Sequence, residues 1–526
     1  MKECSIHKYL QNERKDFNST FFKLEELDVV MIQPNLIRYV PDEYVNPIEK
    51  AYFSVNGFSS NESFADTPVE ANWGLFSIGY HLIRNNYRVA LLDYNLYDYV
   101  KRVNTNKNIT IGDIADSLRT KKAMVFAISC MTASMNIGIQ IAKLIKIIHP
   151  DAYIVLGGIH PTLYAEDILK KNIGIVDFVI KGEGEISFVN FMNHLMKSNN
   201  PCEWPPIPGI CYMSKNGVVI NHPLPLNLET EDSILDFDFW PSDIPFIPRI
   251  NLSRGCVGNC SYCSANRFFN GTYRIRTLEN IIFDIKNSVI NGYRKILFGD
   301  LSFGCHKKIA TDICQYIIKN EIDIEWWCQM RLVDCDSVLL KLMSQAGCKQ
   351  IALGFESAEP GILTTMSAKK DNKRDLFDIC KEINDYGMAL QGYFILGLPD
   401  ETFESALKTI KHMELLLPYN MSYVHISICV PFPGTDLFEN PEKYNIEIVD
   451  SDFANYLMNT DFGGTTLPVF NGTYLSRYQV YALWLLALAT AEKHLVKQKR
   501  SILDNEYENI SCERFYPHQQ HLRLAS

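Results

Sequence analysis

At 526 residues, 47% of them hydrophobic and 21% charged, the chain is too long for one ordinary core and sits near the soluble globular average, which argues against the disordered and membrane classes. About three domains are expected. A net charge of -10, from 61 acidic and 51 basic residues without a long Lys/Arg block, disfavours duplex nucleic acid as a partner.

Residues 1–25 begin Met1-Lys2-Glu3-Cys4, are polar, lack the apolar core of a secretion signal and are assigned no function. From Leu27 the pattern alternates apolar runs with amphipathic stretches: Asp28-Val29-Val30-Met31-Ile32, Leu75 to Asn85, Val89-Ala90-Leu91-Leu92, Val125-Phe126-Ala127-Ile128, Ile137 to Ile148, Tyr153-Ile154-Val155-Leu156 and Phe178-Val179-Ile180. Almost wholly apolar strands separated by helices predict a parallel sheet covered on both faces, a doubly wound Rossmann-like domain over 26–200. Ligands of such sheets sit at the carboxyl ends of strands. The candidates there are Pro34 and Asn35; Ser129, Met131 and Thr132; Gly157, Gly158 and His160; and Gly182 and Glu183. No G-x-G-x-x-G follows the first strand, which disfavours a dinucleotide, and four such loops at one edge favour a large ligand.

Gly157-Gly158-Ile159-His160-Pro161-Thr162 and Asp177-Phe178-Val179-Ile180-Lys181-Gly182-Glu183-Gly184-Glu185 resemble the cobalamin-binding domain found ahead of many radical S-adenosylmethionine (SAM) cores. The D-x-H-x-x-G motif, whose histidine ligates cobalt from below, is absent around all twelve histidines, and the resembling subfamily commonly lacks that ligand. His160 is read as a loop residue bonding the cofactor's periphery or the backbone in preference to a cobalt ligand. Residues 201–246, rich in Pro and acidic side chains, are expected to be a linker with a small hairpin in Ile210 to Val219.

From Pro248 six more strand and helix units follow, with strands at Arg249 to Ser253, Lys295 to Gly299, Ile324 to Cys328, Gln350 to Glu356, Leu390 to Leu396 and Tyr423 to Val430, predicting a partial (β/α)6 barrel over 247–440. Directly after its first strand comes Cys256-Val257-Gly258-Asn259-Cys260-Ser261-Tyr262-Cys263. Three thiols spaced C-x3-C-x2-C on a Gly-containing loop can face one point, and soft thiolates select an iron-sulfur cluster or zinc. A zinc site with Cys305 or His306 as fourth ligand is the alternative. Fifteen cysteines in a leaderless chain fit free thiols in a reducing cytoplasm with one metal site better than a disulfide framework.

With Ser253-Arg254-Gly255 before it and an aromatic before its last cysteine, this loop resembles the radical SAM signature. The resemblance implies a 4Fe-4S cluster on Cys256, Cys260 and Cys263, with an open iron that binds the methionyl group of SAM. It also implies a SAM cradle from Tyr262, Gly299, Asp300, Arg331, Glu356, Ser357, Gly397 and Leu398. Arg331 has a barrel-rim ion pair as its alternative role, and Cys305 and Cys328 are conceivable hydrogen donors. Residues 441–526 are read as a helical region whose Tyr474, Tyr478, Tyr481 and Trp484 pack a core; the apolar run Val480 to Ala491 is too short for a bilayer, which needs about 20 residues.

Together the resemblances imply a cobalamin-dependent radical SAM enzyme methylating an unactivated carbon of a peptide or small natural product, with an external electron donor such as flavodoxin or ferredoxin. The alternatives are a cyclase, epimerase or rearrangement enzyme of the same architecture and, from another class, an iron-sulfur sensor or electron carrier.

Overall fold

The structure, a computed structural model, describes residues 25–34, 72–105, 107–230, 247–367, 374–456 and 467–507. Its first sheet is built on β1 (Glu25–Gln33), whose Val29 to Ile32 are wholly inaccessible to water. Alternate residues of a strand point to opposite faces. Val30 and Ile32 therefore enter one core with Phe126, Ile141 and Ile154, while Val29 and Met31 enter another with Leu75, Val125 and Phe188. Two buried faces explain the unbroken apolar runs.

Beside β1 lie β2 (Val89–Asp93), β3 (Lys121–Ser129), β4 (Tyr153–Gly157) and β5 (Phe178–Ile180), all parallel, in the order β2-β1-β3-β4-β5. That order switches direction between β1 and β3, the point at which sheets of this kind bind ligands outside the carboxyl ends of their strands. The expected hairpin forms as β6 (Ile210–Ser214) and β7 (Gly217–Ile220), and Ile180 pairs with Ile210, so this part of 201–246 extends the first sheet.

The second sheet is singly wound. Its strands β8 (Arg249–Ile250), β11 (Lys295–Phe298), β12 (Glu325–Met330), β13 (Cys348–Glu356), β14 (Ala389–Leu396) and β15 (Met421–Ile428) lie parallel in chain order. Between β8 and β11, the short strands β9 (Ser253–Gly255) and β10 (Tyr273–Ile275) form an antiparallel ribbon at the two ends of the cysteine loop. One core holds Ile351, Leu353, Leu390 and Ile426 from the strands with Ile379, Ile383 and Ala406 from helices. Gln391 and Tyr393 on β14 and Tyr423 and His425 on β15, out of phase with those core residues, form a polar and aromatic opposite face, where Tyr393 stacks on His425 at 4.5 Å.

The helix Arg477–Tyr507 joins the same core through Leu483, Trp484, Ala487 and Leu488, and the Trp484 indole donates to the Ile426 carbonyl at 2.6 Å. Trp484 is thus core, as the sequence suggested, while Tyr474 and Tyr478 are exposed. Among the described residues no helix is long and apolar enough to cross a membrane.

Candidate functional site

The cysteine loop is tied down at its base. Gly255, at φ 95, occupies the left-handed region, and a Cβ there would lie 1.8 Å from the Thr272 carbonyl across the ribbon, so only glycine lets the two strands close. Beyond it, Gly258 lies between the sulfurs of Cys256 and Cys260, and its N–H donates to the Cys256 sulfur at 3.3 Å. Asn266 donates to the Gly258 carbonyl, and the Ser261 N–H and hydroxyl reach the Met366 carbonyl. Cys256, Cys260 and Cys263 are in no disulfide, and neither are the other described cysteines. Among the described residues no three His, Cys, Asp or Glu side chains converge closely enough to share a single metal ion. A cluster makes a different demand, one thiolate to each of several irons, and three soft donors on one short loop suit it.

Around the loop the structure gathers some of the expected residues and commits others elsewhere. Burial first, and then the Glu356 carboxylate and the thiols of Cys260 and Cys263, push the Tyr262 hydroxyl far above its usual range, so all four side chains share one neighbourhood. Tyr262 also packs against the apolar cluster containing Leu398, Met366 and Val430. Glu356 ends β13 at φ 61, a strained backbone for glutamate, where the pairing to β14 shifts register.

Arg331 lies within electrostatic reach of Cys256 and 3.8 Å from the Cys305 sulfur. Its guanidinium pairs with Asp334 at 2.6 and 2.7 Å, the rim ion pair foreseen as its other role. Asp300 is buried and accepts from the Leu252 N–H at 2.8 Å and the Ser253 hydroxyl, so its carboxylate underpins the strand leading into the loop. Burial, partly offset by those donors, lifts its pKa to about 6. Gly299, next to it, gives its carbonyl to Arg249 and Asn251. Ser357 is buried against Thr409, and the Gly397 N–H donates to the buried Glu401. Cys328 lies inside the barrel core.

At the first sheet, Gly158 at φ 97 carries the chain over Cys130, whose carbonyl would meet a Cβ at 2.6 Å. His160 follows and is 3% exposed: its Nδ1 lies 3.3 Å from the Thr132 hydroxyl, and its ring is held between Tyr164 and Phe453. Burial lowers its pKa to about 4, which keeps the ring neutral. Gly182 donates to Thr162. Pro34 is buried, its carbonyl accepting from Asn95 at 3.2 Å, while Asn35 lies outside the described residues. At the carboxyl ends of β3 and β4, Met131 is 45% exposed and Ser129 and Gly157 are partly open. This edge suits a bulky ligand held by shape and backbone, with the imidazole sealed away from it.

Glu183 has both oxygens engaged: one is 2.8 Å from Arg254, the other 2.9 Å from Arg274 and 3.0 Å from the Leu226 N–H. Glu185 takes the other Arg254 nitrogen at 2.8 Å and the Ser77 hydroxyl. Burial alone would raise the Glu185 pKa; Arg254 overrides it and holds the carboxyl at about 2. These contacts join the edge of the first sheet to the strand that enters the cysteine loop. Reading the sequence did not find this cluster, nor the Tyr393 and His425 stack. The alternation of polar and apolar residues on β14 and β15 was the available signal for the latter.

Residues 71–192 match the B12 binding domain family and residues 250–428 match the Radical SAM superfamily. An uncharacterized methyltransferase of Pyrococcus horikoshii is 30% identical over 344 residues, which are 63% of this chain and 72% of that one. The anaerobic magnesium-protoporphyrin IX monomethyl ester cyclase of Rubrivivax gelatinosus is 26% identical over 66% of this chain, which spans 64% of that protein, just under two thirds. The radical SAM methyltransferase TsrM of Kitasatospora setae, solved with cobalamin and a 4Fe-4S cluster, superposes with a TM-score of 0.62 over 88% of this chain and 89% of that one. At 15% identity that likeness concerns the fold.

Proposed function

Because the chain belongs to the B12-binding radical SAM enzymes, we propose that it methylates an unactivated carbon of a peptide or small natural product. The cluster with SAM supplies a carbon radical and the cobalamin a transferable methyl group when bound. The chain's own residues have positional tasks. Cys256, Cys260 and Cys263 hold the cluster, Tyr262 and Leu398 wall the adenosine side, and Glu356, beside the loop, meets the methionyl amine. Asp300 and Gly299 fix the strand beneath the loop, and Arg331 presents positive charge next to Cys256. On the first sheet Met131, Ser129, Gly157 and the backbone around Gly158 cradle the corrin.

The observation that carries this reading is the direct bonding of the β5 exit to Arg254, two residues before Cys256, which brings the ligand edges of both domains together. The test uses anaerobic protein supplied with cobalamin, reductant and methyl-labelled SAM. Formation of 5′-deoxyadenosine together with label on the cobalamin supports methyl transfer. Deoxyadenosine without label transfer overturns it in favour of cyclisation or rearrangement, the reading that the similarity to the Rubrivivax cyclase favours. A sensor or electron carrier would produce neither.

A further inference from the structure

The cysteine loop starts and ends on a ribbon that, taken alone, is electrostatically unfavourable. β9 and β10 are three residues each, and their pairing sets Arg254 directly opposite Arg274. Like charges facing across an antiparallel pair push it apart. Both arginines are largely buried, with 17% and 19% of their side chains exposed.

Their neutralisation comes from the other domain. Glu183, 8% exposed, stands between them with one oxygen on each arginine, and Glu185 occupies the remaining Arg254 nitrogen. The Arg274 pairing is one of charge more than alignment: its Nη2 is close to Glu183 without hydrogen-bond geometry, and its directed bond runs from Nη1 to the Leu226 carbonyl at 2.6 Å. Both glutamates belong to Gly182-Glu183-Gly184-Glu185, where β5 leaves the first sheet and the helix Glu185–Leu195 begins. The ribbon's other supports, Asp300 on Leu252 and Ser253 and the buried Arg276–Asp284 pair just past β10, come from the barrel and supply no carboxylate to Arg254 or Arg274.

We propose that Glu183 is a positioning residue for the iron-sulfur loop: a carboxylate supplied by the B12-binding domain closes the Arg254–Arg274 ribbon and so sets the geometry of the three cysteines. Two consequences follow. The loop is ordered only while the first domain is docked, and a displacement of the β5 exit is felt at the cluster through two buried carboxylates, of which Glu183 alone touches both arginines. Removing the Glu183 charge leaves Arg254 on Glu185 but takes the carboxylate from Arg274 opposite it, in a site poor in water where an uncompensated charge is costly.

The test uses full-length protein, anaerobically reconstituted with iron and sulfide, as wild type, Glu183→Gln, Glu183→Asp and the double variant Glu183→Gln with Arg274→Gln. Iron content, cluster absorption, amide exchange by peptide and thermal unfolding are read on each. The expected result for Glu183→Gln is about tenfold faster exchange confined to peptides spanning 253–275 and loss of more than about half of the cluster. Removing the opposing charge in the double variant should restore both, and Glu183→Asp should retain most of each. Full cluster content and wild-type protection in Glu183→Gln would overturn the proposal. So would a double variant as defective as the single one, or exchange rising equally across both domains, which marks a general loss of stability.

Discussion

Both ligand edges turn on one glycine, and they use it differently. Gly158 at φ 97 crosses over Cys130 in the first sheet, and Gly255 at φ 95 crosses over Thr272 at the cysteine loop, each with a backbone carbonyl where a side chain would begin. After Gly158 the chain's polar groups are satisfied from within: His160 by Thr132 and two rings, Thr162 by Gly182. After Gly255 come three thiols without disulfide partners. On the proposed reading the barrel edge would hold its cofactor by thiolate donors, whereas the first sheet would offer shape and backbone. Losses at the first should be all-or-none, and losses at the second graded.

The largest effect expected is from Cys256→Ala, Cys260→Ala or Cys263→Ala, each of which should abolish the cluster and deoxyadenosine formation. Cobalamin retention, measured on the same samples, should survive. Loss of both cofactors together would erase the distinction between the edges. Next come the glycines. Gly255→Ala and Gly158→Ala should each cost about 1–3 kcal/mol of stability in denaturant unfolding, with cluster loss confined to Gly255→Ala and cobalamin loss to Gly158→Ala.

A comparable effect is expected at Glu401, just past the end of β14, where burial, partly offset by the N–H groups of Gly397 and Leu398, lifts the carboxyl pKa to about 7 from an ordinary 4.5. The folded chain therefore holds this proton more tightly than the unfolded chain. The stability it contributes is fully present below about pH 4.5 and is lost as the pH rises through 7. Between pH 5 and 8 wild type should lose about 2 kcal/mol relative to Glu401→Gln, and equal slopes for the two proteins would contradict this assignment. The smallest effect belongs to His160. Its lowered pKa means that its contribution is present above about 6.5 and lost only as the pH falls through 4. Cobalamin retention should stay level from pH 6.5 to 8 and change by less than about threefold in His160→Gln. A large drop would make the imidazole a cofactor ligand.

What the sequence revealed follows the range of the forces involved. Strands buried on both faces write themselves as Val29 to Ile32, and three cysteines four and three residues apart declare shared chemistry, because both signals are local. Asp300 was legible as an acid at a strand exit, but its partners Leu252 and Ser253 lie nearly fifty residues earlier. The Glu183–Arg254 pair spans 71 residues, and Phe453 closes on His160 from the far end of the chain. No spacing rule encodes such pairings, since they depend on how two separately wound sheets dock. The same gap explains why the short hairpin was foreseen but its addition to the first sheet was not.

The most direct test of the two-cofactor account is iron and cobalt content of protein produced with cobalamin available and purified without oxygen. About four irons and one cobalamin per chain are predicted. A full cluster with no cobalamin would contradict the account, leaving the first domain as a scaffold and cyclisation or rearrangement as the chemistry to pursue.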